Sequence, residues 1–300
     1  MTLFTGLSAF PITPANCEGD LIPGDLARLV ARASAAGVDS IGLLGSTGSY
    51  MYLDRTQRRR AVSIARETAG TTPLIVGVGA LRTDDAAAFA RDAAQEGAAG
   101  LLLAPVSYMP LSEAEVFAHF ETVAAETGLP VCIYSNPVTT GFTFSPDFVG
   151  RLSAIPGVSA VKLPMPGDGN VAADLARYRH AAPDLSIGYS GDWGGKAALL
   201  AGADCWYSVL GGLLPELAVA LAAAARTGDA IQAERLDLRL SALWSLWRTH
   251  GSLRIVYAMA RMLDLTDADP PRPIAPPDAE TLERVRSTLQ AVLARAGAGC

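Results

Sequence analysis

Lys162 lies in an apolar run from Val158 to Pro164 whose length and composition predict a buried strand. Lysine is rare in this chain of 300 residues: the other is Lys196, and the remaining 22 of the 24 Lys and Arg residues are arginines. Moving an ammonium group out of water is costly, so burial favours the neutral amine. A neutral amine attacks carbonyl carbons and forms a Schiff base, which arginine cannot do.

An alternative follows from the same position. A lysine at the end of a strand can extend its stem along apolar surface and keep its ammonium group in water. The position alone leaves both interpretations of Lys162 open.

Two further features follow other predicted strands. Tyr134 ends the strand before that of Lys162 and could act as a general acid and base, or pack a loop. The turn Gly45–Gly48 offers backbone N–H groups and two hydroxyls to a carboxylate, although the same residues also form ordinary loops.

The elements that must position these residues alternate along the chain. Eight short apolar runs, each followed by Gly, Pro, Ser or Asn, predict strands: GLSAFPIT, SIGLLGST, PLIVGVGA, AGLLLAPV, PVCIYSNP, VSAVKLPM, LSIGYSGD and DCWYSVLG. Alanine-rich amphipathic segments between them begin with capping residues such as Asp54, Ser112 and Ser145.

This pattern predicts a (β/α)8 TIM barrel over residues 1–227, with an open doubly wound sheet as the alternative. No strand pattern follows residue 227, and three helical segments near 229–249, 252–265 and 278–296 predict a C-terminal helical appendage over 228–300. Trp244 and Trp247 share one helical face and are predicted to be core or subunit contacts.

Composition and residue spacing argue against several classes of protein function. A formal net charge of −6 argues against a nucleic-acid surface, and the triplet Arg58–Arg60 is predicted to be a solvated helix face. Four dispersed cysteines, no basic leader and no long apolar run predict a soluble cytoplasmic protein without a membrane segment. The histidines 119, 180 and 250 lack metal-ligand spacing, so no metal is expected.

The motifs GLLGSTGS, YSNPVTTG, VKLP and SGDW…AGADCWYSV occur in this order between Gly6 and Val209. With them the chain resembles the dihydrodipicolinate synthase / N-acetylneuraminate lyase family of pyruvate-dependent class I aldolases. The resemblance implies a covalent imine with Lys162 and no cofactor. It also implies a homo-oligomer, either a dimer or a tetramer.

The resemblance further implies roles by position. Tyr134 matches the proton-relay tyrosine, and Thr47 matches the threonine hydrogen-bonded to it. Ser46, Thr47 and Gly48 would hold the pyruvate carboxylate. Tyr207 would line the side of the pyruvate methyl group.

Some positions depart from the family pattern. Where dihydrodipicolinate synthases carry an arginine for the second substrate's carboxylate, this chain has Thr139; Arg254 is another candidate for that carboxylate. Their second tyrosine is replaced by Ser107, with Tyr108 beside it as a candidate proton relay. After Gly191, a predicted substrate-binding position, Trp193 stands where sialic-acid lyases carry an acidic residue.

The sequence therefore predicts a Schiff-base-forming lyase acting on a 2-oxo acid and an aldehyde, with pyruvate as donor or product. The favoured form is a deoxy-keto-acid aldolase or dehydratase. The first alternative is a dihydrodipicolinate synthase, also called 4-hydroxy-tetrahydrodipicolinate synthase. The second is a non-catalytic barrel that binds keto acids.

Overall fold

Eight parallel strands close into a barrel in the order of the chain. The structure, a computed structural model, describes residues 3–294. The strands are β1 Gly6–Ala9, β2 Ser40–Leu43, β3 Leu74–Gly77, β4 Gly100–Leu103, β5 Val131–Tyr134, β6 Val158–Leu163, β7 Ser186–Ser190 and β8 Cys205–Ser208. All eight predicted strands are present, and the (β/α)8 prediction is confirmed.

Each strand is buried on both faces. In β6, Ala160 packs in a cluster inside the barrel, whereas Val161 and Leu163 pack in the larger cluster shared with the surrounding helices. Because side chains alternate along a strand, Lys162 shares the inward face with Ala160. The near-continuous apolar runs thus reflect strands covered by helices outside and by side chains inside.

Helices connect the strands, and their starts follow the predicted capping residues. Asp54 and Ser112 each complete a capping box, and the Ser145 hydroxyl caps a third helix. The helices are α1 Pro23–Ala35, α2 Arg55–Thr68, α3 Thr83–Gln95, α4 Glu113–Ala124, α5 Pro137–Thr140, α6 Pro146–Leu152, α7 Val171–Ala181, α8 Gly195–Leu200, α9 Val209–Leu213 and α10 Pro215–Arg226. Short 3-10 helices cover Tyr50–Tyr52 and Asp192–Gly194.

Three further helices follow the barrel, as predicted: α11 Ala230–His250, α12 Ser252–Met262 and α13 Ala279–Ala294. Residues 295–300 of the predicted appendage lie outside the described residues. Trp244 and Trp247 on α11 are buried, with ring centroids 5.4 Å apart, so they are core residues. One hydrophobic cluster includes residues of both the barrel and these helices.

The arginine triplet is not wholly solvated, so that prediction was wrong at Arg58, which is buried. Its guanidinium donates to the carbonyls of Tyr50 and Gly79, both at 3.0 Å, and lies 4.2 Å from the centroid of the Phe89 ring. Burial lowers its pKa to about 10, which leaves it charged at neutral pH. Arg58 therefore ties the segment after β2 to the end of β3.

Among residues 3–294, no helix is both long enough and apolar enough to cross a membrane.

Candidate active site

The Lys162 side chain points into the barrel and is 5% exposed. Its Nζ atom lies 3.7 Å from the centroid of the Phe10 ring, 4.3 Å from that of Tyr134 and 5.6 Å from that of Tyr207. Among the described residues, both ion pairs made by a lysine involve Lys196, and Lys162 makes none. The amine is thus held against ring faces, and the alternative of a head group extended into water is wrong.

The strand register places Tyr134 beside Lys162. The two residues are Cα partners across β5 and β6, and the Ser135 amide donates to the Lys162 carbonyl at 3.0 Å. On the other side, Gly188 of β7 is the Cα partner of Lys162. A Cβ atom at Gly188 would lie 2.6 Å from Cε2 of Tyr207, so the missing side chain makes room for that ring.

The Tyr134 hydroxyl has two polar neighbours. The Asn136 amide donates to it at 3.0 Å, and the Ser46 hydroxyl lies 3.1 Å away. Because the Asn136 amide uses a lone pair of the phenol oxygen, the phenol proton can point to Ser46. The contact expected of Thr47 is therefore made by Ser46.

The backbone that leads from β2 into this turn adopts two uncommon conformations. Leu44 and Ser49 both adopt the left-handed conformation, with φ of 54°. Leucine rarely adopts it, since its Cβ crowds the carbonyl. Thr47 is buried, and Ser46 is half-buried.

Close packing fixes the turn on both sides. A Cβ atom at Gly48 would lie 2.9 Å from the Leu44 backbone nitrogen and 3.2 Å from the Thr13 hydroxyl oxygen. The hydroxyl of Tyr257, on α12, donates to the Thr13 carbonyl at 3.3 Å. The C-terminal helices thus reach the segment that supports the turn.

A family model described as the dihydrodipicolinate synthetase family matches residues 3–292. The chain belongs to this family. Members are class I lyases that act through a Schiff base, so the protein is an enzyme of that class.

Three relatives illustrate the match. A 4-hydroxy-tetrahydrodipicolinate synthase of Salinibacter ruber is 35% identical over 216 residues, which are 71% of this chain and 70% of the relative. The one of Corynebacterium aurimucosum is 32% identical over 282 residues, 93% of this chain and 91% of the relative. A crystal structure of dihydrodipicolinate synthase from Agrobacterium tumefaciens is 50% identical, with a TM-score of 0.95, and the match covers 96% of this chain and 98% of that chain.

Tyr207, predicted to line the side of the pyruvate methyl group, is buried inside the barrel. Its hydroxyl is 3.5 Å from the Cys132 sulfur, and burial raises the pKa of the Tyr207 phenol well above its ordinary value. Burial also raises the pKa of the Cys132 thiol to about 12. Only the ring of Tyr207, 1% exposed, approaches Lys162.

The positions that depart from the family pattern lie on the rim. Thr139 is exposed on α5, and its hydroxyl donates to the Asn136 carbonyl at 3.3 Å. Tyr108 is 91% exposed, so within one chain it does not contact Tyr134. Gly191 has a φ of 93°, in the left-handed region that glycine tolerates.

Asp192, beside Gly191, is used inside the fold. It accepts hydrogen bonds from the Ser208 hydroxyl at 2.6 Å and from the Leu210 amide at 3.0 Å, which caps α9. Burial raises the pKa of its carboxyl, although these hydrogen bonds oppose the shift. The acidic side chain at this end of β7 is therefore buried against the end of β8, whereas the neighbouring Trp193 is exposed.

Sequence reasoning missed Phe10 and Asn136. Phe10 directly follows β1, and Asn136 lies two residues after β5, so both stand at the strand ends where barrel enzymes place functional residues. That position was the available signal.

Proposed function

We propose that this protein forms an imine between Lys162 and a 2-oxo acid, with pyruvate as the donor or the product, and makes or breaks a bond at the adjacent carbon. The observation that supports this most is the buried Lys162 amine, held among three aromatic rings and beside the Tyr134 hydroxyl. Its covalent chemistry requires no cofactor.

The amine acts as the nucleophile. Lys162 Nζ attacks the keto carbon, a C–N bond forms, and the carbonyl oxygen leaves as water after receiving two protons. Aromatic ring faces attract positive charge, and Lys162 Nζ lies over those of Phe10 and Tyr134. The faces of Phe10 and Tyr134 therefore also stabilise the iminium, which draws electrons from the neighbouring carbon.

Tyr134 and Ser46 carry the protons. The Tyr134 ring contacts Lys162, and its hydroxyl contacts Ser46, so protons can pass between the reacting oxygen and the turn. Asn136 fixes the phenol oxygen from the other side. In this scheme Ser46 is a relay as well as a carboxylate ligand, whereas Thr47 and Gly48 serve the carboxylate.

The surface that would meet the aldehyde substrate carries little charge. Val138 and Thr139 are exposed on α5, and Trp193 covers part of the rim after β7. A Cβ atom at Gly194 would overlap the sulfur of Met165, so this side chain packs tightly beside Trp193. This surface favours a less polar aldehyde, and we propose a deoxy-keto-acid aldolase or dehydratase.

A second candidate function is that of a 4-hydroxy-tetrahydrodipicolinate synthase, the name of the curated relatives. It requires a group that binds the carboxylate of the second substrate. Turnover of pyruvate with a carboxylate-bearing aldehyde, compared with neutral aldehydes such as glyceraldehyde, separates the two. Preference for the charged aldehyde would establish the synthase.

The first test is intact-protein mass after incubation with pyruvate and borohydride, followed by peptide mapping. A reduced pyruvyl group on Lys162 is expected. Pyruvate binding without an adduct would instead favour the non-catalytic keto-acid-binding barrel. If pyruvate neither binds nor forms an adduct, the choice of pyruvate as the 2-oxo acid is overturned.

We also propose a cytoplasmic homo-oligomer, a dimer or a tetramer. Exposed apolar side chains stand near the ends of β2, β3 and β4: Met51, Tyr52, Leu81, Tyr108 and Met109. Apolar groups exposed together indicate a contact surface, where a second copy could bring Tyr108 to a neighbouring site. Light scattering after size-exclusion chromatography gives the oligomeric state.

A further inference from the structure

A cavity of about 270 Å³ lies between α12, α13 and the proline-rich connector that joins them. Small-molecule sites occupy roughly 300–1,000 Å³, so this one suits a compact metabolite. None of the residues around Lys162 lines it. Arg254, which the sequence offered as a carboxylate ligand for the second substrate, lines this cavity instead.

The charges around the cavity are unequal. Three arginines, Arg254, Arg261 and Arg286, face a single acidic lining residue, Asp269. Asp269 pairs with Arg261 at 3.0 Å. Arg254 donates through Nε to the Ala275 carbonyl at 3.2 Å and forms no ion pair within residues 3–294.

Arg286 is also available to a ligand. It is 56% exposed, and its partner is Glu283 on the same helix, 75% exposed and 3.6 Å away. Such surface pairs contribute little and are readily exchanged. Guanidinium groups bind carboxylates in a bidentate manner, which gives geometric specificity.

The rest of the lining is apolar. It consists of Ala258, Met262, Leu282 and the prolines 270, 276 and 277, with Tyr257. A bare inorganic oxyanion would leave this surface in contact with water. A short aliphatic chain between two carboxylates would cover it and bring one carboxylate to each side.

We propose that this cavity binds a small aliphatic dicarboxylate, with Arg254 and Arg286 as its ligands from α12 and α13. An alternative role for Arg254 and Arg261 is to tie the connector to α12, since both donate to connector carbonyls. Arg286 has no such bond to the connector in the described part of the chain, so it distinguishes the two roles.

Calorimetric titration of the full chain with glutarate tests the proposal, with butyrate and inorganic phosphate as comparison ligands. Glutarate is expected to bind at least tenfold more tightly than either. Arg286→Gln should weaken glutarate binding about tenfold, and the double variant Arg254→Gln/Arg286→Gln should abolish it. Arg284→Gln, an exposed arginine on the same helix that does not line the cavity, should bind as the natural chain does.

Unchanged glutarate affinity in Arg286→Gln would overturn the proposal, and so would the absence of glutarate binding at millimolar concentration. Phosphate binding as tight as that of glutarate would overturn the dicarboxylate assignment. Circular dichroism of each variant shows whether it folds; Arg286→Gln alone keeps the test valid if the double variant does not.

Discussion

Tyr134 and Lys162 are Cα partners on adjacent strands, and the ring of one lies 4.3 Å from the amine of the other. Their relative position is set by the backbone hydrogen bonds of the barrel rather than by a loop. A site built on strands holds its geometry more firmly than one on loops. The pair is therefore preorganised before any substrate arrives.

Replacing Lys162 with Arg keeps a long cationic side chain but removes the nucleophile. We expect no pyruvyl adduct by mass spectrometry and a loss of turnover on the order of 10⁴-fold or more. Lys196→Arg is the matched control, because arginine can also pair with Glu234 and Asp237. An adduct persisting in Lys162→Arg would show that another amine reacts.

Ser46→Ala removes the hydroxyl that contacts Tyr134. The rate of adduct formation at saturating pyruvate should fall about 10- to 100-fold, part of the roughly 10²–10⁴-fold available from acid–base catalysis. Thr47→Val should mainly raise the pyruvate concentration needed for half-maximal rate. Stopped reactions quenched with borohydride measure both effects. Equal loss of maximal rate in the two variants would contradict the assignment of the relay to Ser46.

Gly188→Ala places a methyl group 2.5 Å from the Cys205 carbonyl oxygen and 2.6 Å from the Tyr207 ring. Overpacking of this kind costs about 1–3 kcal/mol, and it should also displace the ring next to Lys162. We expect a lower melting temperature and slower adduct formation. Gly167→Ala, where a Cβ would have open space, should change neither. A Gly188→Ala variant as stable as Gly167→Ala would show that the barrel relaxes freely here.

Arg58→Met leaves buried backbone carbonyls without their donor. The free energy of unfolding should fall by about 3 kcal/mol, since each buried acceptor left unsatisfied costs roughly 1–3 kcal/mol. Arg60→Met, two residues along the same helix and exposed, should change it by about 0.5 kcal/mol or less. Urea unfolding followed by circular dichroism compares them, and similar losses would refute a special role for Arg58.

The barrel could be predicted because its signals are local. Each apolar run is short, and several of the following helices start at a residue whose side chain caps them, as Asp54 and Ser112 do. Lys162 and Tyr134 are candidates for the same reason, since the ends of predicted strands are also the positions where barrel enzymes carry their chemistry.

The details that escaped prediction depend on single backbone angles or on distant contacts. Leu44 is left-handed, and Ser46 rather than Thr47 contacts Tyr134; hydrophobic periodicity reports neither feature. The burial of Arg58 could have been predicted from the sequence. It shares a helical face with Ala61, Val62 and Ala65, all buried, so the phase of α2 already placed it inward.

Tyr257 and Thr13 are 244 residues apart in the chain, yet their hydrogen bond joins α12 to the segment packed against Gly48. During synthesis the ribosome completes all eight strands before it makes α12. A nascent chain can therefore contain every strand of the barrel while the Gly-Ser-Thr-Gly turn still lacks this support. The helices α11–α13, none of whose described residues contacts Lys162, complete the scaffold on which that site rests.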